Sequence, residues 1–374
     1  MRPRSGSPRA FLRAVFRPLL LPVLIAGVGS LAGQWLTVDI QGDGGAYAYL
    51  TYGLLAVGLY GSAQGISRPE VRGDVYRIVF AITVGVVVKA AFIALVLTVF
   101  LRRKPEYLVL AVAMAQIDPL SVSAMLEAGD MSPRAKSLLA AWASFDDPVT
   151  TVLVVVISSM ALPGADSALA GAAGYARTLS WNLLLLVAAA GVWAVIRKRG
   201  PVGTPVSTGR GLIQIVALLG LAAVATWQFL MLGLALSALF FRPPLGPWIG
   251  RLTNAALFAA TFLLGVLLAG GADFRIGAVL GCATFAAQIL VGSALTWGFP
   301  RRDRISLCLS QQNGITAIIL ALFLEPQLPK AVAVIAPAIL VVNLLHLASN
   351  NLVTHPTAMP RSGTTGLDLH HLEL

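Results

Sequence analysis

The chain of 374 residues is 57% hydrophobic and only 11% charged, with a net charge of +11 and a mean hydropathy of +0.82. A soluble domain carries about 25% charged residues because its surface faces water, so this composition excludes an ordinary soluble protein. The positive charge does not point to nucleic acid, because Arg and Lys gather at the ends of apolar stretches and in short loops, where they set membrane topology.

Apolar stretches of roughly 20 residues, each enough to cross a hydrocarbon core of about 30 Å as a helix, recur along the chain. The alternating strands of about 10 residues that build a membrane barrel are missing. The expectation is an all-α polytopic membrane protein of about 12 transmembrane helices. In chain order the spans fall at about 15–35, 46–63, 78–101, 107–127, 137–160, 179–196, 211–226, 228–241, 252–270, 275–297, 305–325 and 330–350. The block from Gly211 to Phe241 is too long for one ordinary span and is divided near Trp227.

Residues 1–14 read as a basic cytoplasmic leader, 15–352 as a single transmembrane domain, and 353–374 as a polar cytoplasmic tail. The basic start followed by an apolar run superficially resembles a signal peptide, but no small-x-small cleavage site follows. It reads as an uncleaved first helix. With the N-terminus inside, the cytoplasmic loops hold Arg68, Arg72 and Arg77; Arg134 and Lys136; Arg197 to Arg210; Arg242 and Arg251; and Arg301, Arg302 and Arg304. The first outside loop holds Asp39 and Asp43. Arg102, Arg103 and Lys104 disagree with this pattern, through interfacial snorkelling or a displaced boundary. Cys282 and Cys308 lack metal-ligand spacing and read as buried small hydrophobes. His355, His370 and His371 lie in the tail, while His346 lies in the last span.

An ionisable residue deep in a span costs about 2.5–3.5 kcal/mol on insertion scales and is a functional candidate by default. Asp118, Asp146, Asp147 and Lys89 are the four, on three consecutive spans at similar depth. Asp followed by Pro is a strong helix start, and both Asp118-Pro119 and Asp147-Pro148 fit it. Within an apolar span, such a start means a helix that breaks and begins again. Backbone of that kind survives only where protein or a watery cavity covers it. Lys89 either neutralises one of the aspartates or snorkels. A second interruption is expected in span eleven, at Ser310, Gln311, Gln312, Asn313, Gly314 and Thr316. Its carbonyls and amides suit a hard cation, or serve as hydrogen bonds between helices. One interrupted helix in each half of the chain points to an inverted-repeat transporter.

Asp118-Pro119 with Ser121-Val122-Ser123, followed by Ser144-Phe145-Asp146-Asp147-Pro148-Val149-Thr150, resembles the paired motifs of the monovalent cation:proton antiporter family, specifically its NhaP-like sodium/proton exchangers. The family shows Thr-Asp-Pro-Val-Ala-Val-Ser, then Ser-Leu-(Phe/Leu)-Asn-Asp-Ala-Val about one helical hairpin later. The resemblance implies an inverted-repeat antiporter fold with two broken crossing helices. It places a moving core, including 107–160 and 275–325, against a dimerisation scaffold. It also implies that Asp147 is the ion- and proton-binding carboxylate, Asp118 the broken-helix aspartate, Asp146 the counterpart of the neighbouring Asn, and Gly314 the glycine of the second crossing helix. Departures are Ile117 for Thr, Trp142 for a Glu, Asn313 for a basic residue, and Gln288 in a span where a basic residue is expected. Lys89 would supply the missing charge from another span.

The expected function is exchange of a monovalent cation, Na+ first, for protons, with Asp147, Asp146 and Asp118 as the ion- and proton-binding residues and Asp147 and Asp118 as cation ligands. Thr150, Thr151, Ser144, Gln288, Gln312, Asn313 and Gly314 would support the site. The protein is not expected to be an enzyme or to need a cofactor. Its partners would be the lipid bilayer, the cation, protons and a second copy in a homodimer. A sodium-coupled solute symporter is the nearer alternative. An intramembrane aspartyl protease is the farther one, since its Gly-x-Gly-Asp pattern is missing.

Overall fold

A computed structural model describes residues 8–36, 38–40, 45–64, 74–101, 104–119, 121–122, 126, 131–161, 168–198 and 208–354. Asp43, Arg68, Arg72, Arg102, Arg103, Ser123, Arg199 and the three tail histidines lie outside the described residues. Among those described there are thirteen helices and no strand. This is the expected outcome for apolar segments that must satisfy every backbone amide internally.

The helices are α1 (Pro8–Ala32), α2 (Ala46–Gln64), α3 (Val75–Phe100), α4 (Glu106–Met114), α5 (Pro133–Ala161), α6 (Ala168–Lys198), α7 (Thr208–Gln228), α8 (Met231–Ser237), α9 (Trp248–Leu268), α10 (Phe274–Leu295), α11 (Arg301–Cys308), α12 (Ile315–Leu324) and α13 (Ala331–Thr354). Seven of them, α3, α5, α6, α7, α9, α10 and α13, contain a stretch long and apolar enough to cross a membrane unaided. The block expected to divide near Trp227 divides at Phe229, which takes a left-handed φ of 54°. The following span, expected at 228–241, is shorter than expected. Only the seven residues of α8 are helical, and turns run on to Phe240. Pro243 and Pro244 stop extension, leaving too few residues for a full crossing, which needs about 20.

Two three-part units organise the core. α3 and α5 flank α4 and the break that follows it, while α10 and α13 flank α11, a second break and α12. α10 packs along both α13 and α3, joining the units, and α1 lies along α9 outside them. Gly29 faces the Phe262 carbonyl and Gly265 the Ala26 carbonyl, a backbone approach that larger residues would block.

The asserted restart at Asp147-Pro148 does not occur: α5 runs unbroken from Pro133 to Ala161 with Pro148 inside it. α5 continues through the lost hydrogen bond, as membrane helices packed among neighbours permit. Cys308 is buried as expected, but Cys282 is exposed on α10, where a small apolar side chain facing lipid costs nothing.

Candidate ion-binding site

The first interruption follows α4. Residues 116–118 are not helical, and helical backbone resumes at Pro119. The second follows α11, with residues 310–314 outside any helix before α12. Each break supplies what the other lacks. The Asp118 amide donates to the Gln312 carbonyl at 2.9 Å. Gln311 Nε2 donates to the Gln116 carbonyl at 2.6 Å, and Asn313 Nδ2 to the Met114 carbonyl at 3.2 Å. The crossing thus satisfies backbone groups that would otherwise be stranded in an apolar bundle. Gly314 lies directly against the Asp118 carboxyl, and a Cβ there would collide with it.

α5 brings Asp146 and Asp147 to this crossing, both fully buried. Asp147 Oδ2 accepts from Thr316 Oγ1 at 2.6 Å, and its Oδ1 has no partner. Asp118 Oδ2 accepts from the Ser121 amide at 2.8 Å and its hydroxyl at 2.6 Å, and Oδ1 is again without a partner. The two carboxylates flank the start of α12, Asp118 against Gly314 and Asp147 at Thr316.

Asp146 is differently placed. Its Oδ2 accepts from Lys89 Nζ at 3.3 Å and from the Ile117 amide at 3.0 Å. It therefore pairs a charge and caps the first break at once. Lys89 also reaches Gln288 Oε1 at 3.3 Å and stands 5.5 Å from the centre of the Trp142 ring. A π-helical turn at Ala81–Gly85 precedes Lys89 in α3. The extra residue in such a turn rotates everything after it by about 100°, and so sets the face on which Lys89 emerges. Gln288 Nε2 completes the chain to the second break, donating to the Leu307 carbonyl and Ser310 Oγ, each at 3.2 Å.

Of the remaining residues singled out in the sequence, Thr150 Oγ1 is buried with no partner. Ser144 and Thr151 donate to the carbonyls of Ala140 and Asp147, one turn back, leaving their oxygens free to accept. Gln312 Nε2 is buried without a partner. A cavity of about 500 Å³ reaches this crossing from one side, with Asp118, Ser121, Asn313 and Gly314 on one wall and apolar residues such as Leu264 and Leu340 on others.

Thr316 was singled out only as part of the second interruption, and a polar face of α13 was not among the expected site residues. Asn343 forms a two-way clamp on the second break. Its Oδ1 accepts from the Asn313 amide at 3.1 Å, and its Nδ2 donates to the Asn313 carbonyl at 2.8 Å. His346 Nδ1 lies 2.6 Å from the Leu309 carbonyl, and Asn350 Nδ2 lies 2.9 Å from His346 Nε2. A neutral ring protonated at Nδ1 satisfies both contacts. The signal was present in the sequence as three polar residues spaced three and four apart in an apolar helix.

Two interrupted helices crossing in front of a buried carboxylate define an inverted-repeat transporter fold. The fold matches that of the sodium proton antiporter MjNhaP1 from Methanocaldococcus jannaschii at pH 8, with a TM-score of 0.64 over 93% of this chain and 99% of that one, at 14% identity. No protein-family model matches the sequence, and no curated protein sequence matches it. The chain is therefore a multi-pass membrane protein with an antiporter fold.

Proposed function

We propose that this protein exchanges a monovalent cation, Na+ in the first place, for protons by alternating access at Asp147 and Asp118. One observation carries the reading: two neighbouring carboxylates, each with an unpartnered oxygen, sit buried where two broken helices cross. Burying one carboxylate beside another disfavours its charged form, so a proton or a cation must neutralise it. The two compete for the same oxygens, and the winner depends on the pH of the side to which the site is open. Unpartnered polar oxygens on Thr150 and Gln311 are suited to complete a cation's shell. Asp146, already neutralised by Lys89, holds the scaffold of the site. The cavity that reaches Asp118 serves as access from one side. Loop charges favour a cell-membrane protein with both termini in the cytoplasm, and the scaffold would pair two copies in a homodimer.

The test is purified protein in proteoliposomes with an imposed pH gradient. Addition of Na+ should dissipate the gradient, with Li+ and K+ ranking selectivity, and Asp147→Asn should abolish the response. A gradient that no cation collapses, or an Asp147→Asn variant matching wild type, would overturn the reading.

A further inference from the structure

Pro148 is the residue least expected beside an ion-binding aspartate, and its effect falls on Ser144. In a helix the carbonyl of Ser144 accepts the amide hydrogen four residues on. Pro148 has no such hydrogen, yet α5 continues through it. The Ser144 carbonyl is thereby released from the helix ladder in a buried segment. Neighbouring hydroxyls do not replace the lost donor. Ser144 Oγ is turned to Ala140 and Thr151 Oγ1 to Asp147, and Thr150 Oγ1 makes no hydrogen bond.

Helix geometry sets what lies above that carbonyl. Helical side chains lean toward the N-terminus, so the γ-position of one residue reaches the carbonyls three and four residues back. α5 itself shows both reaches: Ser158 Oγ lies 3.0 Å from the Val155 carbonyl, and Thr151 Oγ1 lies 2.8 Å from the Asp147 carbonyl. The Asp147 side chain likewise leans over the turn that carries the Ser144 carbonyl, three residues back, and its Oδ1 has no hydrogen-bond partner. Two acceptor oxygens with no donor between them make a costly pair in an apolar interior. A cation shared by them removes that cost.

We propose that the Ser144 carbonyl is a direct ligand of the transported cation, and that Pro148 is a positioning residue that frees it. The proposal rests on the reading of Asp147 as the ion carrier. A carbonyl adds ligand strength without adding charge. It serves either occupant, ligating the cation or accepting the O–H of the protonated carboxyl. It also favours ions that lose most when a ligand is removed, Li+ and Na+ over K+.

Pro148→Ala restores the amide hydrogen, which re-forms the helix bond and takes the Ser144 carbonyl away from the cation. Proteoliposome exchange and thermal unfolding of purified protein are measured together for wild type, Pro148→Ala, Pro148→Ser and Asp147→Asn. The expected result is a KM for Na+ raised on the order of tenfold in both Pro148 variants. Li+ should rise similarly and K+ less, with maximal rate within about twofold and Tm unchanged or raised. Stability and affinity moving in opposite directions separate a lost ligand from a damaged fold. If Asp147→Asn is inactive but both Pro148 variants keep the wild-type KM, the carbonyl is no ligand and the exchange reading stands. A lowered Tm in both would show that the fold needs Pro148, and the proposal falls. An Asp147→Asn variant that exchanges like wild type removes the ion carrier itself.

Discussion

Lys89 distinguishes the two adjacent aspartates by pairing with only one of them, although Asp146 Oδ1, like Asp147 Oδ1, has no hydrogen-bond partner. An ammonium in the apolar core is costly, and pairing with Asp146 at 3.3 Å offsets part of that cost for both partners. Asp147, one residue on and about 100° round the helix, receives only a hydroxyl. Removing one member of a buried pair strands the other, typically at a loss of 3–5 kcal/mol, whereas removing both is far milder. We expect Lys89→Met or Asp146→Asn alone to lower thermal stability strongly. The double variant should recover most of the loss, and unfolding of the four proteins as a mutant cycle measures the coupling. Singles and double that unfold alike would show no coupling. The sequence marked Lys89 as a lone mid-span cation but did not choose its partner. That choice depends on how α3 is rotated against α5, which the π-helical turn helps to set and which leaves no motif.

At the scale of elements, the two breaks act as one structure. Gly314 has no room for a Cβ beside Asp118, so Gly314→Ala must push the crossing apart, at an overpacking cost of about 1–3 kcal/mol. Loss of cation-driven proton flux together with a lowered Tm is the expected outcome, and wild-type flux would show that the contact is not needed. α13 supports the second break through Asn343 and His346. His346→Leu removes the donor to the Leu309 carbonyl, whereas Asn presents an amide nitrogen where Nδ1 stands. Exchange assays should show His346→Leu with a raised KM and His346→Asn close to wild type. Equal defects would mean that the hydrogen bond is not what positions the break. Both breaks were legible in the sequence, because Asp-Pro and a run of Gln and Asn have no ordinary place in an apolar span. The continuity of α5 through Pro148 was not legible, since Asp118-Pro119 and Asp147-Pro148 have the same local signature. Only packing separates them: the first pair meets another broken backbone that pairs with it, and the second is held inside a 29-residue helix.

At the scale of the molecule, the proposed exchange would need the two core units to move together, and contacts at one end of the core join them. Asp74, just before α3, accepts from Arg134 Nε and Nη2 of α5, each at 2.7 Å, and from Arg77 Nη1 at 2.5 Å. Both guanidinium groups also stand over the Phe299 ring, which follows α10, at 4.7 Å for Arg134 and 5.3 Å for Arg77. Asp303 of α11 accepts from the Ser132 amide at 3.0 Å and hydroxyl at 2.5 Å, beside the start of α5. Arg77 and Arg134, which in the sequence read only as topology-setting charges, thus join α3 to α5 within the first unit and meet the second over Phe299, beside the Asp303 contact to Ser132. The Arg134 hydrogen bonds, aided by Arg77, hold the Asp74 carboxyl down at about 2. A depressed carboxylate pKa stabilises the fold fully above the unfolded value of 3.8 and loses that contribution as pH falls toward 2. The stitch should therefore be constant through the range where Asp147 is proposed to exchange its proton. Arg134 is more than half exposed, which limits the network to about 1 kcal/mol. Asp74→Asn should lower Tm by the same amount at pH 5 and pH 9 and slow maximal exchange without changing the cation KM. A Tm difference that grows between pH 9 and pH 5 would mean that the carboxylate titrates there, and that this end of the core senses pH instead of merely holding the two units together.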